Sequence, residues 1–237
     1  MLPLDHQNQL RERYRKLRPG WHPSGEVYED AVRRHLRAEM HVLDLGCGRG
    51  GIPEKLVNEP LGIFGVDAHW DSLAGYRYAR IHLCSGDSVR LPYPTGTFQI
   101  VIAAWLMEHI DTPQDTLLEI RRVLKPGGHF IFLTPNGRNP LLIANRLSIW
   151  IPALQRALVP RIYGRMPDDT FPLYYRANTI PTIRRLAHES ELRLISLEVI
   201  RDPTYLAFNE FMFRTLVMLE DLLPRGLGAH LVGILQR

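Results

Sequence analysis

The sequence predicts an α/β protein built on a mainly parallel sheet with helices on both faces, and three observations carry that prediction. Short apolar runs alternate with helical patterns through the first two thirds of the chain, the pattern of successive βαβ units. The stretch VLDLGCGRGG, Val42 to Gly51, leaves the first apolar run through a glycine loop of the kind that leads from a strand into a helix. Finally, LKPGG closes a helical pattern: Pro126 cannot continue the helix, and Gly127 and Gly128 permit a tight reversal into the next strand.

Taken in order, residues 1–40 read as a helical N-terminal segment, with a helix from about Gly25 to Arg37 before the first strand. Strands are expected at His41 to Leu45, Gly62 to Val66, Arg80 to Cys84, Phe98 to Ala103 and His129 to Thr134, each a short apolar run bounded by turn residues. Residues 41–135 thus form the sheet core, with a helix from Pro113 to Leu124 before the last of these strands. Further on, NTIPTIRRLAHES predicts a helix, LRLISLEVI a strand and HLVGILQ another. Two excursions, residues 136–178 and 205–223, interrupt this order. The second is largely helical, and Leu206, Phe213, Val217 and Leu222 recur along it near helical spacing.

With 237 residues, 45% of them hydrophobic, the chain suits one large domain. The net charge of +4 is small and its basic residues are scattered, which does not imply a nucleic-acid partner. Cys47 and Cys84 make neither a metal-type pair nor a disulfide framework, so the expectation is a reducing, cytoplasmic setting with no metal. No leader is expected, because the first residues turn polar and basic at once. Nor is a spanning helix expected: Arg146 and Arg156 interrupt one apolar candidate, and Glu210, Arg214 and Glu220 the other.

The glycine loop by itself fits two ligands. Gly46, Gly48 and Gly51 satisfy the dinucleotide spacing G-x-G-x-x-G, while Asp44, Gly46, Gly48 and Gly50 satisfy D-x-G-x-G-x-G. Asp44 shifts the balance, since a carboxylate inside the strand end repels a pyrophosphate and favours a ligand carrying an ammonium and a sulfonium. Asp67 ends the second strand roughly twenty residues on, where an acid can accept from both ribose hydroxyls of either ligand. Asp87, after the third strand, is placed to accept from an adenine amino group, with the Ser88 amide beside the ring. The dinucleotide fingerprint has no such requirement.

These residues, with VLDLGCGRGG, GVD, GDSVRLPYPTGTFQIVIAAWLMEHI and LKPGGHFIFLTPN in order, make the chain resemble the class I S-adenosylmethionine-dependent methyltransferases. The resemblance runs from about Val42 to Asn136 and is closest to the small-molecule group that includes quinone-biosynthesis enzymes. It implies a Rossmann-like sheet of seven strands with the last antiparallel, and S-adenosylmethionine as cofactor. It assigns Asp44, Gly46, Gly48, Gly50, Asp67 and Asp87 to that cofactor. Ala68 and Ser88 join the set, as does Cys47, a small buried filler and not a nucleophile. Ala104, Trp105 and Leu106 would border the cofactor's methionine and adenine parts.

For the acceptor side the resemblance places His109 near the methyl donor as the candidate base, although Glu108 and His109 also read as a helix-start acid and an interior histidine. Trp150, Tyr174, Tyr175 and Arg176 are the candidate acceptor contacts; the aromatics could equally cover the end of the sheet. The two excursions are expected to meet over the carboxyl ends of the strands as a lid. The arginines and apolar residues of the first suit a small or amphiphilic acceptor methylated on oxygen or carbon. Alternatives are methylation of a sugar in a glycan or glycolipid precursor, and a protein that binds S-adenosylmethionine without transferring its methyl group. For the excursions themselves, the alternative is peripheral contact with a membrane.

Overall fold

A computed structural model of the protein describes residues 4–56, 60–74, 82–85, 87–140, 142–143, 172–205, 207 and 209–237. The elements run α1 (Leu4–Leu17), α2 (Ser24–His35), β1 (His41–Leu45), α3 (Pro53–Leu56), β2 (Gly62–Asp67), α4 (Trp70–Ala74) and β3 (His82–Ser85). There follow β4 (Phe98–Ala104), α5 (Pro113–Val123), β5 (Leu124–Pro135), α6 (Ile180–Glu189), β6 (Arg193–Ile200), α7 (Glu210–Leu222) and β7 (His230–Gln236).

The strands form one sheet in the order β3-β2-β1-β4-β5-β7-β6. Strands β1 to β5 pair in parallel, and β7 runs antiparallel to both of its neighbours. The central strands are apolar along their length because both faces are covered. In β4, Val101 and Ala103 enter one core with Leu117, Ile120 and Val123 of α5 and Ile183 and Leu186 of α6. Ile100 and Ile102 enter the opposite core with Tyr28, Ala31 and Val32 of α2. Successive side chains alternate between faces, so the single strand supplies both layers. The same alternation in β1 sends Leu43 and Leu45 to the α5 side and Val42 to the α2 side. Asp44, two residues after Val42, therefore lies on the face covered by α2.

Strands β1, β2, β4 and β7 begin where the apolar runs begin, and β6 within one residue, but β5 does not. It starts at Leu124 and includes the Lys125-Pro126-Gly127-Gly128 stretch, with a register shift against β4 between Phe98 and Ile100. Gly127 is left-handed (φ 77°), and its N–H donates to the Arg237 carbonyl at 2.9 Å, so the reversal is absorbed within the pairing. Residues 80 and 81 of the expected third strand lie outside the described residues.

A third, smaller core joins the two ends of the chain. Leu10 and Tyr14 of α1 pack with Ala207 and with Phe213 and Leu216 of α7. Around it Tyr14 donates to the Glu220 carboxylate, Arg13 Nη2 donates to Glu210 Oε1 at 2.9 Å, and Arg18 pairs with Asp221. The inward stripe of α7 is thus Phe213, Leu216 and Glu220; Val217 is only partly buried, and Leu222 is 76% exposed. Leu206, of the expected stripe, lies outside the described residues. Among the described residues no helix is long and apolar enough to cross a membrane.

Candidate active site

The site is built where β1, β2 and β4 end. Gly46 N–H and Cys47 N–H both donate to the Val66 carbonyl, at 2.8 and 3.1 Å, which pins the glycine loop to the end of β2. Asp67 then organises the loop from its other side: Gly48 N–H donates to Oδ2 at 2.9 Å and His69 N–H to Oδ1 at 2.8 Å. A carboxylate oxygen has two acceptor directions, so each retains capacity for a ligand hydroxyl. Gly46, Gly48 and Gly50 are all left-handed, with φ of 72°, 52° and 125°, where a Cβ is strained. At Gly46 a Cβ would also lie 2.9 Å from Leu106 Cδ1, so the loop and the segment after β4 are in close contact.

Asp44 is 6% exposed in the wall of this loop. Burial, with the Asp67 charge adding to it, pushes its carboxyl up to about 7. No cation offsets that cost among the described groups that act on it, so the ionised carboxylate is held at a cost that a cationic ligand would relieve. A pyrophosphate aggravates that cost, so the donor set fits an adenosyl sulfonium carrying an ammonium. Cys47 is buried and its thiol is pushed far up by burial and by both aspartates, which excludes a thiolate nucleophile there. Ala68 follows Asp67 on the exposed rim.

Asp87 and Ser88 sit just past the end of β3, whose Ser85 pairs in register with Asp67. The Asp87 carboxylate closes its own turn, accepting from Val89 N–H at 3.2 Å, and Ser88 Oγ lies 3.2 Å from Thr116 Oγ1. On the other side of the loop, Ala104 ends β4 and Trp105 takes a left-handed conformation (φ 58°). For a bulky residue that conformation costs on the order of 1 to 3 kcal/mol. The Trp105 N–H donates to the Leu133 carbonyl at 2.9 Å, and the indole meets His230 edge-on at 5.0 Å between centroids.

His109 ends the short 3-10 turn Met107–His109, and its Nδ1 lies 2.8 Å from the Pro172 carbonyl. A carbonyl only accepts, so Nδ1 carries the proton and Nε2 is the lone-pair nitrogen of the neutral ring. Glu108 fixes this turn. Its carbonyl accepts from Tyr174 N–H at 2.8 Å and Tyr175 N–H at 3.1 Å, and its 4%-exposed carboxylate accepts from Thr134 Oγ1 at 3.1 Å. Asn178 Nδ2 donates to the same Thr134 hydroxyl at 2.5 Å. Glu108 is therefore the anchor that ties β5 and the 172–178 segment to the turn, and its carboxylate is not a solvated helix-start acid.

The structure thus brings Tyr174, Tyr175 and Arg176 beside His109. Arg176 is turned away, pairing with Asp111 Oδ1 at 2.7 Å while its guanidinium lies 5.5 Å from the Tyr174 ring centroid. Trp150 lies outside the described residues. Sequence reasoning missed Tyr28, whose hydroxyl is buried beside Asp44 and the Ala103 backbone. The signal was a tyrosine on the apolar face of a helix just before the glycine loop. Thr134 and Asn178 were also missed, and nothing local distinguishes them.

Comparison with known proteins agrees with this geometry. A sequence family described as a methyltransferase domain matches residues 43–132. Residues 43–132 form a methyltransferase domain. The cofactor of this domain is S-adenosylmethionine. The chain is 36% identical over 116 residues to demethylmenaquinone methyltransferase of Symbiobacterium thermophilum, covering 44% of this chain and 46% of that protein. It is 31% identical over 128 residues to a sterol 24-C-methyltransferase of Gibberella zeae, covering 45% of this chain and 33% of that protein. It is 32% identical over 105 residues to a ubiquinone biosynthesis O-methyltransferase of Pectobacterium carotovorum, covering 40% and 43%. The chain therefore spans between a third and a half of these relatives. A solved S-adenosylmethionine-dependent methyltransferase from Methanosarcina mazei shares the fold at a TM-score of 0.61, with 17% identity over 87% of this chain and 96% of that one.

Proposed function

We propose that the protein transfers the methyl group of S-adenosylmethionine to an oxygen or carbon of a small, lipid-like metabolite. The observation that carries this reading is the buried Asp44 carboxylate beside Asp67, with no cation offsetting it among the described groups that act on it. When bound, the cofactor supplies a methyl group already activated by its sulfonium. The chain's contribution is then alignment: Asp67 for the ribose, the Gly46 to Gly50 backbone and Asp44 for the charged end, Asp87 and Ser88 for the adenine. Such alignment is worth on the order of 7 to 11 kcal/mol at best.

A hydroxyl acceptor also needs a base, and His109 is suited to it. The Pro172 carbonyl holds its proton on Nδ1, so Nε2 can accept one, while Glu108 acts as a positioning residue through its backbone and side chain. Tyr174 and Tyr175 form the acceptor side; most of the first excursion, expected to close over it as a lid, lies outside the described residues. The matched relatives' names include both an O- and a C-methyltransferase, which leaves the acceptor atom to experiment. A sugar acceptor is less well supported, because Arg176 already lies over the Tyr174 ring that would stack on it. The test is formation of S-adenosylhomocysteine from S-adenosylmethionine on addition of a lipid extract. Cofactor binding with no turnover on lipid or water-soluble extracts would contradict transfer and favour a binding protein.

A further inference from the structure

A cavity of about 210 Å³ lies under α7, walled by Leu142, Leu216, Leu219, Leu227 and His230 among others. It sits at the same edge of the sheet as the cofactor loop, since His230 begins the antiparallel β7 and pairs with Pro135 and Ile200 at the carboxyl ends of β5 and β6. One wall is shared with the active site: His230 lines the cavity and also meets the Trp105 ring. The left-handed backbone at Trp105 holds that ring in place.

Three of the polar groups at the cavity are engaged by the protein itself. Asp202 accepts from Thr204 N–H at 3.1 Å and from its hydroxyl at 2.5 Å, Glu220 accepts from Tyr14, and Arg201 donates to the Leu223 carbonyl at 3.0 Å. Burial lowers His230 to about 4, so its ring is neutral near neutral pH. What remains to meet an occupant is mainly hydrocarbon. An apolar cavity of about 150 Å³ accommodates benzene, so this one has room for a somewhat larger apolar segment. Its mouth is apolar as well: Leu219 and Leu222 line it yet are 43% and 76% exposed. From there Met218 and Phe211, also exposed, continue along the same face of α7.

We infer that this cavity receives the hydrocarbon tail of a lipid-like acceptor whose reacting head is directed past the Trp105–His230 pair toward the cofactor loop. The inference rests on the proposed function for the head and on the cavity alone for the tail. A tail longer than the cavity would leave along the exposed face of α7, which accounts for the exposed apolar track of Phe211, Met218 and Leu222 there.

The test uses the full chain and dodecanol carrying a terminal diazirine. Photolysis should label peptides within 139–142 and 216–230, and excess dodecanol should suppress it. Leu219→Arg, at the exposed mouth, and Leu227→Trp, which fills the interior, should each weaken probe binding about tenfold or more while S-adenosylhomocysteine affinity is unchanged. The mouth variant keeps the test valid if the filled one fails to fold. Labelling elsewhere, or binding indifferent to the mouth variant, overturns the inference, as does labelling of α7 only in the presence of anionic vesicles. Failure of the wild-type protein to bind S-adenosylhomocysteine would overturn the methyltransferase reading, and the tail site would still be scored by its own labelling.

Discussion

The cofactor side and the α1–α7 side of the molecule are assembled by different means. Around β1 and β2 the groups that hold the loop lie within about twenty residues of one another: the Gly46 and Cys47 N–H groups donate to the Val66 carbonyl and the Gly48 N–H to the Asp67 carboxylate. Under α7 the pairs join opposite ends of the chain, as in Tyr14 with Glu220 and Arg18 with Asp221. The first region stores electrostatic cost in Asp44 for a ligand to relieve. In the second, the ionic groups are paired within the protein and the cavity surface left over is mainly apolar. Damage to the first should therefore impair binding and chemistry, and damage to the second should impair stability and acceptor recognition.

The largest effect is expected at His109. For a hydroxyl acceptor His109→Ala should lower turnover by about a hundredfold or more with cofactor affinity nearly intact. Unchanged turnover would leave carbon methylation or a different base. Asp67→Ala should weaken cofactor binding by about tenfold to a hundredfold, on the order of 1.5 to 3 kcal/mol. It also removes the acceptor of the Gly48 and His69 amides, so the loop should gain hydrogen exchange at those positions.

Asp44 gives an opposing pair of effects. Its carboxyl is raised from 3.8 to about 7, so the stability it contributes is fully present below about pH 4 and is lost as pH rises through 7. Asp44→Asn should flatten that part of the pH–stability curve of the ligand-free protein and weaken S-adenosylmethionine binding. In the wild type, affinity should fall by roughly tenfold for each unit below pH 7 while the carboxylate must shed a proton to bind. A wild-type affinity flat from pH 6 to 7 would place the cation elsewhere. The smallest effect belongs to the other region: Tyr14→Phe leaves a buried carboxyl without its donor and should cost about 1 to 3 kcal/mol in denaturant unfolding, with cofactor affinity unchanged.

The same division explains what the sequence made legible. The starts of β1, β2 and β4 coincide with apolar runs, and Asp44, Asp67 and the glycines could be read because strand-end chemistry is local. The role of Glu108 could not, since its carboxylate is defined by Thr134, and that hydroxyl by Asn178. Along α7 the hydrophobic pattern pointed to Leu222 where the buried position is Glu220, because the stripe is completed by a polar pair with Tyr14. No periodicity of apolar residues reveals a buried glutamate whose partner lies at the opposite end of the chain.

The central claim, that the loop between Asp44 and Asp67 is built for an adenosyl sulfonium, is tested most directly by calorimetric titration of the wild-type protein with S-adenosylmethionine, S-adenosylhomocysteine and NAD. Both adenosyl ligands should bind in the micromolar range and NAD should give no heat. Binding of NAD with neither of the other two would contradict the account.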